Sequence, residues 1–452
     1  MFKRDAITTF RFVRCTFDPQ DGVARLVYAF DDGPELVETV TIPGAPFVLD
    51  GARAVAAQRA LRLLHLIAGV SYYKAAVPPT IVIEDEGIDA ATAALAEQVY
   101  LNGLGEFAYR NGLDLHGRIR FPVADVVPGE GDGAPVLGLD ARALVAIGGG
   151  KDSLVSIEAL RAAGVEQTVT WIGGSQLIRT CAERTGLATL NIGRALAPEL
   201  FEINRQGAYN GHIPVTAVNS AILVLAAVLT NAGQVVFSNE RSASYGSIIP
   251  GTGEVNHQWS KGWAFEQAFG AHVERSVAAD LHYYSLLRPL SELAVARQFA
   301  RTDHYDAHFS SCNRNFHILG EKPAQRWCGL CPKCHFVFLA LAPFMPKPRL
   351  VRIFGRNLLD DIALAPGFDA LLEFQDHKPF ECVGEGRESR TAMALLAARA
   401  DWREDALVAR FVREIQPQLD PAELALEPLL EIVGEHRVPA AVWERIGARF
   451  AA

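Results

Sequence analysis

The sequence predicts an α/β protein built on a doubly wound parallel sheet, with an α+β domain before the sheet and a mostly helical region after it. The central observation is the consecutive run of ALVAI, GGGKDS, LVSIEALRAAG and QTVTWIGG, which predicts a strand, a tight turn, a helix and a second strand. This order is typical of a βαβ unit with parallel strands. Of the 452 residues, 50% are hydrophobic and 21% are charged, so the chain can bury more than one core. We therefore expect two or three domains.

The first predicted domain covers residues 1–135. Within residues 8–42, three β-rich stretches separated by the turn formers DPQDG and DDGP predict an antiparallel meander. Apolar residues at helical spacing predict helices over residues 52–67 and 90–110, with a short strand, TIVIE, between them. Residues 126–135 are dense in glycine and proline and are the best candidate for a linker.

The second predicted domain, residues 136–345, contains the parallel sheet. Further strands are expected at residues 188–192 and 234–238, with a helix over residues 215–231 between them. Sheets of this kind hold ligands beyond the carboxyl ends of their strands, so we expect the site there. The third region, residues 346–452, lacks alternating strands and predicts helices at residues 389–400, 406–414 and 440–448.

Charge and hydropathy exclude several classes of protein. The 43 basic and 52 acidic residues give a net charge of −9, which argues against broad electrostatic capture of nucleic acid or anionic lipid. The apolar runs are too short to span a bilayer, and the N-terminus lacks the apolar core of a secretory signal. We predict a cytoplasmic enzyme with small-molecule partners, no nucleic-acid partner and no membrane insertion; no feature specifies an oligomeric state.

The turn GGGKDS predicts a site for a phosphate chain. Three glycines let the backbone wrap closely around an anion, and the N–H groups and dipole of the following helix favour phosphate. A Walker A loop is excluded because Asp152 follows Lys151 and Val145 occupies the position of the first glycine. The alternative is an ordinary glycine-rich turn before a helix. The predicted nucleotide-binding residues are Gly148, Gly149, Gly150, Lys151, Asp152 and Ser153.

Cysteine spacing predicts a metal site. The chain has seven cysteines, an odd number that cannot pair fully in disulfides. Four of them fall in one stretch, as Cys312, Cys328, Cys331 and Cys334. Four thiolates suit a closed, structural zinc site, and the same spacing also occurs in iron–sulfur proteins. Nearby histidines are alternative ligands, namely His304, His308 and His335.

Three further polar stretches are candidates for the substrate site. Residues 238–261 contain Arg241, His257 and Lys261, which supply anion-binding and proton-transfer groups. Residues 209–214 precede an apolar helix whose N-terminus can accept a carboxylate or phosphate. Residues 380–388 contain Glu381 and Cys382 in an otherwise helical region. For each stretch, a solvated connecting loop is the alternative interpretation.

The GGGKDS turn resembles the SGGxDS loop of the N-type ATP pyrophosphatase (PP-loop) superfamily. Members of that superfamily cleave ATP between its α and β phosphates and adenylate a substrate. Gly148 replaces the usual first serine, which removes one hydroxyl donor. PP-loop enzymes that make the nitrile of the deazaguanine nucleoside precursor carry a similarly spaced four-cysteine zinc site, and this resemblance favours zinc over an iron–sulfur cluster.

A more specific resemblance extends along most of the chain. The strings GGGKDS, NGHIPVTA, SNERSAS, EVNHQWSKGW, SSCNRNFH, WCGLCPKC and FECVGE resemble the MurL family of UDP-N-acetylmuramoyl-L-alanyl-L-glutamate epimerases. This implies an isomerase that uses ATP and Mg²⁺ to invert the terminal L-glutamate of UDP-MurNAc-L-Ala-L-Glu for peptidoglycan synthesis.

The resemblance also implies roles for particular residues. Asp152 would hold Mg²⁺, and Lys151 would neutralise phosphate charge, while His257, Lys261 and Cys382 are the first candidates for proton transfer at the glutamate α-carbon. Two other functions stay open. One is a different adenylating PP-loop enzyme, such as a 7-cyano-7-deazaguanine synthase-like or thiolation enzyme. The other is a non-catalytic, zinc-stabilised nucleotide sensor.

Overall fold

The computed structural model describes residues 2–125, 133–249, 252–316, 322–374 and 377–451. Most of the predicted linker, residues 126–132, lies outside these ranges. The strands of the described residues are β1 (Thr9–Asp18), β2 (Val23–Phe30), β3 (Leu36–Thr41), β4 (Thr80–Ile83), β5 (Asp140–Ala146), β6 (Gln167–Ile172), β7 (Ala188–Ala195), β8 (Ala232–Phe237), β9 (Ser247–Ile249), β10 (Gly253–Val255) and β11 (His282–Ser285).

Helices surround these strands and dominate the last third of the chain. They are α1 (Gly51–Ala68), α2 (Val70–Tyr73), α3 (Ala90–Gly103), α4 (Gly105–Asn111), α5 (Lys151–Ala162), α6 (Gln176–Arg184), α7 (Pro198–Arg205), α8 (Val215–Thr230), α9 (Trp263–His272), α10 (Glu292–Ala300), α11 (Pro332–Leu341), α12 (Lys347–Phe354), α13 (Ala365–Leu371), α14 (Gly386–Ala397), α15 (Ala406–Arg410), α16 (Glu427–Leu430) and α17 (Ala440–Ala451). None of the helices in the described ranges is both long and apolar enough to cross a membrane.

One nine-stranded sheet forms the centre of the molecule, in the order β11-β8-β5-β6-β7-β3-β2-β1-β4. The strands β11, β8, β5, β6 and β7 are parallel to their neighbours, as expected. The chain leaves β5 toward β6 and β7 on one side and later returns to β8 on the other. The carboxyl end of β5 is therefore the switch point at which doubly wound sheets bind ligands.

The N-terminal strands continue this sheet. The meander of β1, β2 and β3 is antiparallel as predicted, and β3 then pairs with β7 in antiparallel register, with Val40 opposite Arg194. Arg194 also forms a buried ion pair with Glu38 on β3, with 2.7 Å between Nε and Oε1. The α/β class and the large, mostly parallel sheet are confirmed. The boundaries at residues 135 and 345 remain predictions.

The sheet separates two hydrophobic cores. Successive residues of a strand point to opposite faces, and on β5 the side chain of Leu144 joins one core while Val145 joins the other. The first core includes the N-terminal meander, α1 and α8; the second includes α5, α10 and α11. Helix α8 is almost wholly apolar because it packs between the sheet and α1.

Two predicted helices differ in their ends. The helix expected over residues 90–110 is interrupted at Leu104, so that α4 starts afresh at Gly105. In the C-terminal region, α14 begins at Gly386, because Glu385 and Glu388 form a capping box in which each side chain binds the other residue's backbone N–H. Both changes matter for the site, since α4 and the segment before α14 supply residues to it.

Candidate active site

The predicted phosphate loop lies at the switch point of the sheet, between β5 and α5. Gly149 has φ of +81°, a left-handed conformation that favours glycine. Its carbonyl oxygen accepts a hydrogen bond of 2.9 Å from the backbone N–H of Ser310. At Gly150, a Cβ atom would lie 2.5 Å from the hydroxyl of Ser311. The loop therefore needs glycine at both positions to pack against residues 310–311, while a Cβ at Gly148 would meet open space.

Lys151 lies inside the protein at the start of α5. Its side chain is 1% exposed, and Nζ donates hydrogen bonds to the carboxylates of Asp152 and Glu292. Ser153 lies in the first turn of the helix, and its hydroxyl donates to the carbonyl oxygen of Gly150 at 3.2 Å. The lysine is thus held by two carboxylates and organises acidic groups beside the loop.

Three carboxylates have perturbed pKa values next to this lysine. Burial and repulsion from Asp152 raise the pKa of Glu240. The same two causes raise the pKa of Glu292 to about 7, although the positive charge of Lys151 acts in the opposite direction. Burial opposes ionisation of Asp152 as well, but the charges of Lys151 and Lys333 lower its pKa. The ionised carboxylate of Asp152, which is 25% exposed, is the group best suited to bind a cation at the loop.

The four predicted metal ligands come together in one cluster. The sulfur atoms of Cys312, Cys328, Cys331 and Cys334 all lie within 4.8 Å of one another. Cys331 immediately precedes α11 and Cys334 lies in its first turn, with 3.5 Å between their sulfurs. The backbone N–H groups of Leu330 and Cys331 point at the sulfur of Cys328, each at 3.4 Å. Four thiolates with such N–H donors fit a tetrahedral zinc ion.

The alternative histidine ligands lie outside this cluster. His335 stacks on Phe368 with 4.9 Å between the rings, and burial lowers its pKa. The Nε2 atom of His304 lies 3.1 Å from the carbonyl oxygen of Arg184. Neither these two residues nor His308 belongs to a metal-competent group within the described residues.

A second cluster brings together the three residues expected to transfer protons. The Nζ atom of Lys261 donates to the sulfur of Cys382 at 3.1 Å, and His257 interacts electrostatically with the same sulfur. Burial opposes charge on all three groups. The cationic neighbours nevertheless lower the pKa of Cys382 well below its usual value, and Cys382 with Glu106 raises the pKa of His257 to about 9. The directions of these pKa shifts favour a thiolate at Cys382 beside a protonated His257 and a protonated Lys261.

Glu106 and His212 complete the second cluster. The Nδ1 atom of His257 is hydrogen-bonded to Oε2 of Glu106, which comes from α4. The ring of His212 lies 4.1 Å from that of His257, and burial together with the charge of His257 lowers the pKa of His212 to about 3. Of the two, His212 falls in the predicted stretch 209–214, whereas Glu106 was not predicted.

Lys333 connects the two clusters. It lies between the predicted metal ligands Cys331 and Cys334 in sequence, and its Nζ donates to the carbonyl oxygen of Cys382. The same Nζ is 3.8 Å from Oε1 of Glu292, the partner of Lys151. The ammonium group of Lys333 thus connects the candidate metal centre, the phosphate loop and the segment that carries Cys382.

The remaining predicted residues have different surroundings. Asn313, which follows a metal ligand, donates to Glu381, and burial with nearby cysteine charge raises the pKa of Glu381 to about 7. Arg241 contacts the carbonyl oxygen of Glu431 at 3.5 Å and is not part of the thiolate cluster.

Comparison with known sequences identifies the family. Residues 1–286 match the MurL N-terminal domain and residues 308–425 match the MurL C-terminal domain. The chain belongs to the MurL family. It is 77% identical over 450 residues to the UDP-N-acetyl-alpha-D-muramoyl-L-alanyl-L-glutamate epimerase of Xanthomonas oryzae pv. oryzae, covering 100% of this chain and 99% of the relative.

Two less similar relatives carry the same name. A Micromonospora protein is 43% identical, covering 95% of this chain and 96% of the relative, and a Salinispora tropica protein is 43% identical, covering 89% and 88%. An epimerase is an isomerase, so the predicted enzyme class is confirmed for this MurL chain.

Three residues of the MurL site were missed from sequence. Glu292 lies in an amphipathic helix that resembles any other helix on the sheet. Lys333 lies between two predicted metal ligands, and the recognisable sequence pattern there is the spacing of the cysteines. Glu106 is separated by 151 residues from its partner His257, so no local pattern could link them. The break at Leu104 within an apparently continuous helix is the one local signal near Glu106.

Proposed function

We propose that this MurL chain inverts the α-carbon of the terminal L-glutamate in UDP-MurNAc-L-Ala-L-Glu and that it activates the substrate with ATP and Mg²⁺. The observation that carries the proposal is the connection of two sites through Lys333, which contacts Cys382 and approaches Glu292 beside the phosphate loop. A phosphate loop supports adenylation, and a thiolate between two cations supports proton transfer. Together they match a reaction that needs both.

Activation is needed because a free α-carboxylate resists loss of the adjacent proton, which would place a second negative charge beside the first. We propose that the α-carboxylate attacks the α-phosphorus of ATP, forming an acyl-adenylate and releasing pyrophosphate. The anhydride removes the carboxylate charge and acidifies the Cα–H bond. Water then hydrolyses the anhydride and releases AMP with the epimerised product.

The glycine loop supplies the phosphate contacts in this proposal. The amides of Gly148, Gly149 and Gly150, with the start of α5, bind the pyrophosphate. Asp152 holds Mg²⁺, which neutralises phosphate charge when bound. Lys151 acts through the carboxylates it pairs with, keeping Asp152 ionised and oriented, because its Nζ is already occupied by Asp152 and Glu292. These roles are the ones expected of a PP-loop enzyme, and we propose that the chain belongs to that superfamily.

The second cluster supplies the proton transfers. We assign removal of the α-proton to the thiolate of Cys382, which becomes a thiol, and return of a proton on the opposite face to a cation of the cluster, His257 or Lys261. The enolate formed between these steps carries negative charge, which the adjacent ammonium stabilises.

We propose a structural zinc ion for the four-cysteine cluster. Its four sulfur ligands leave no open position for substrate, so the ion contributes to folding rather than to the reaction. The residues that it fixes include Lys333 and Asn313, which hold Cys382 and Glu381 in place. We also propose the division into an N-terminal domain (1–135), a nucleotide-binding domain (136–345) and a helical region (346–452).

One experiment tests the function. The protein is incubated in D₂O with UDP-MurNAc-L-Ala-L-Glu, ATP and Mg²⁺, and both AMP and deuterium at the glutamate Cα are measured. The expected result is AMP together with deuterium and D-glutamate. AMP without deuterium would replace the epimerase with another adenylating enzyme, and absence of AMP with nucleotide bound would favour a sensor.

A further inference from the structure

Glu106 is a buried carboxylate that the reaction above does not use. It is 6% exposed and lies in the first turn of α4. Its two oxygens have separate partners, since Oε1 accepts from Arg110 one turn later and Oε2 is bound to Nδ1 of His257. A carboxylate so far from water is retained only where its partners compensate for the lost hydration.

The local fold directs this carboxylate at the histidine. The helix is interrupted at Leu104, whose φ of −96° and ψ of 12° are not helical, and α4 starts at Gly105. Gly103 allows a close approach, because a Cβ atom there would lie 2.6 Å from Cγ of Pro214. That contact brings the segment containing His212 against the start of α4. The glycine and the break therefore place Glu106 beside two histidine rings, with its Oε2 bonded to Nδ1 of His257 and 4.0 Å from Nδ1 of His212.

We infer that Glu106 is a positioning residue that completes a Cys382–His257–Glu106 triad. Because Glu106 occupies Nδ1 of His257, Nε2 is the ring nitrogen left to face the sulfur of Cys382. Such a carboxylate fixes the rotation and tautomer of the imidazole and stabilises its protonated form. The arrangement matches the general pattern in which a base is paired with a nucleophile or thiolate and a third group orients the base.

The triad has a defined part in proton transfer. When Cys382 takes the substrate α-proton, the sulfur loses its charge and the imidazolium keeps its ion pair with Glu106. When His257 delivers a proton to the enolate, the neutral imidazole retains its Nδ1–H on Glu106. Glu106 gives up no electron pair and no proton in either step. This inference rests on the proposed function for its effect on turnover, but not for its effect on the thiolate.

The test is Glu106→Gln in the full-length enzyme. The glutamine side chain carries no negative charge that could stabilise the imidazolium of His257. Its NH₂ group can also donate to Nδ1 and so favour the tautomer that is protonated on Nε2. We expect deuterium incorporation to fall on the order of 10²- to 10⁴-fold. AMP formation and the KM for the UDP-substrate should change less than ~3-fold, because adenylation takes place at the glycine loop. Glu106→Asp should recover part of the rate, which a residue needed only for packing would not show.

A second measurement is independent of turnover. Alkylation of Cys382 by iodoacetamide, followed by mass spectrometry across a pH series, reports how readily the thiolate forms. Glu106→Gln should move this reaction to higher pH, because the cation facing Cys382 is weakened. Five other ionisable groups face Cys382 and His257, namely Lys261, Lys333, Glu381, Glu106 and His212.

The controls separate the possible outcomes. Glu97→Gln makes the same change on α3, where Glu97 accepts from the N–H of Phe121 at 3.0 Å, and should leave both readouts unchanged. If wild-type enzyme forms no AMP, the proposed function fails while the alkylation result still decides the triad. An unmoved alkylation profile in Glu106→Gln overturns the triad. So does a second bound metal ion lost in that variant, because Glu106, His212 and His257 would then be its ligands.

Discussion

Replacing Lys261 with methionine should make the thiol of Cys382 harder to ionise. The Nζ atom lies 3.1 Å from the sulfur, and methionine keeps a similar side-chain length without charge. At an effective dielectric constant of about 20, a unit charge pair at that separation is worth ~5 kcal/mol, or ~4 pKa units. Because both groups are partly exposed and His257 and Lys333 remain, we expect the pKa of Cys382 to rise by less than this isolated pair would give.

The sign of the pH effect follows from which form reacts. The thiolate exists above the pKa of Cys382, so raising that pKa should move both the alkylation of Cys382 and the acid limb of deuterium incorporation to higher pH. Lys347→Met is the matched control, since Lys347 pairs with Asp405 at 2.6 Å in another part of the chain. Identical alkylation profiles for wild type and Lys261→Met would refute the thiolate–ammonium pair.

Three further predictions concern other parts of the molecule. Asp152→Asn should abolish AMP formation measured by chromatography while the protein stays folded by circular dichroism, and retained turnover would refute its role in holding Mg²⁺. Purified protein should contain about one zinc per chain by elemental analysis, with Cys331→Ser losing it; a brown, iron-containing sample would contradict the zinc assignment. Glu38→Gln should lower the free energy of unfolding by ~3 kcal/mol in urea titration, because it leaves Arg194 buried without a counter-charge; an unchanged midpoint would show that water reaches the arginine.

The parallel sheet could be predicted because its signals are local. A buried strand, a glycine turn and an amphipathic helix follow one another within a few tens of residues, so periodicity and turn chemistry reveal them. The same reasoning found the cysteine cluster, in which three of the four ligands lie within seven residues. The pairing of β3 with β7 has no such signal, since the partners Val40 and Arg194 are far apart in sequence and either strand could have formed an edge.

The candidate site was predictable in its residue types and less so in its connections. His257, Lys261 and Cys382 were chosen for their chemistry, and the structure brings them together. What the sequence could not show is the direction of each side chain. Lys151 was expected to face phosphate but is held by Glu292, and this follows from the packing of α5 against α10, which no local pattern specifies.

The distances along the chain within the second cluster have a consequence for synthesis. Glu106 and His257 are separated by 151 residues, and Lys261 and Cys382 by 121. Because domains generally fold in the order in which they leave the ribosome, the glycine loop can form while the thiolate is still being translated. A nascent or truncated chain that ends before Cys382 would therefore have the glycine loop in place beside an incomplete second cluster. The second cluster would be complete only when about the last sixth of the polypeptide packs against the rest.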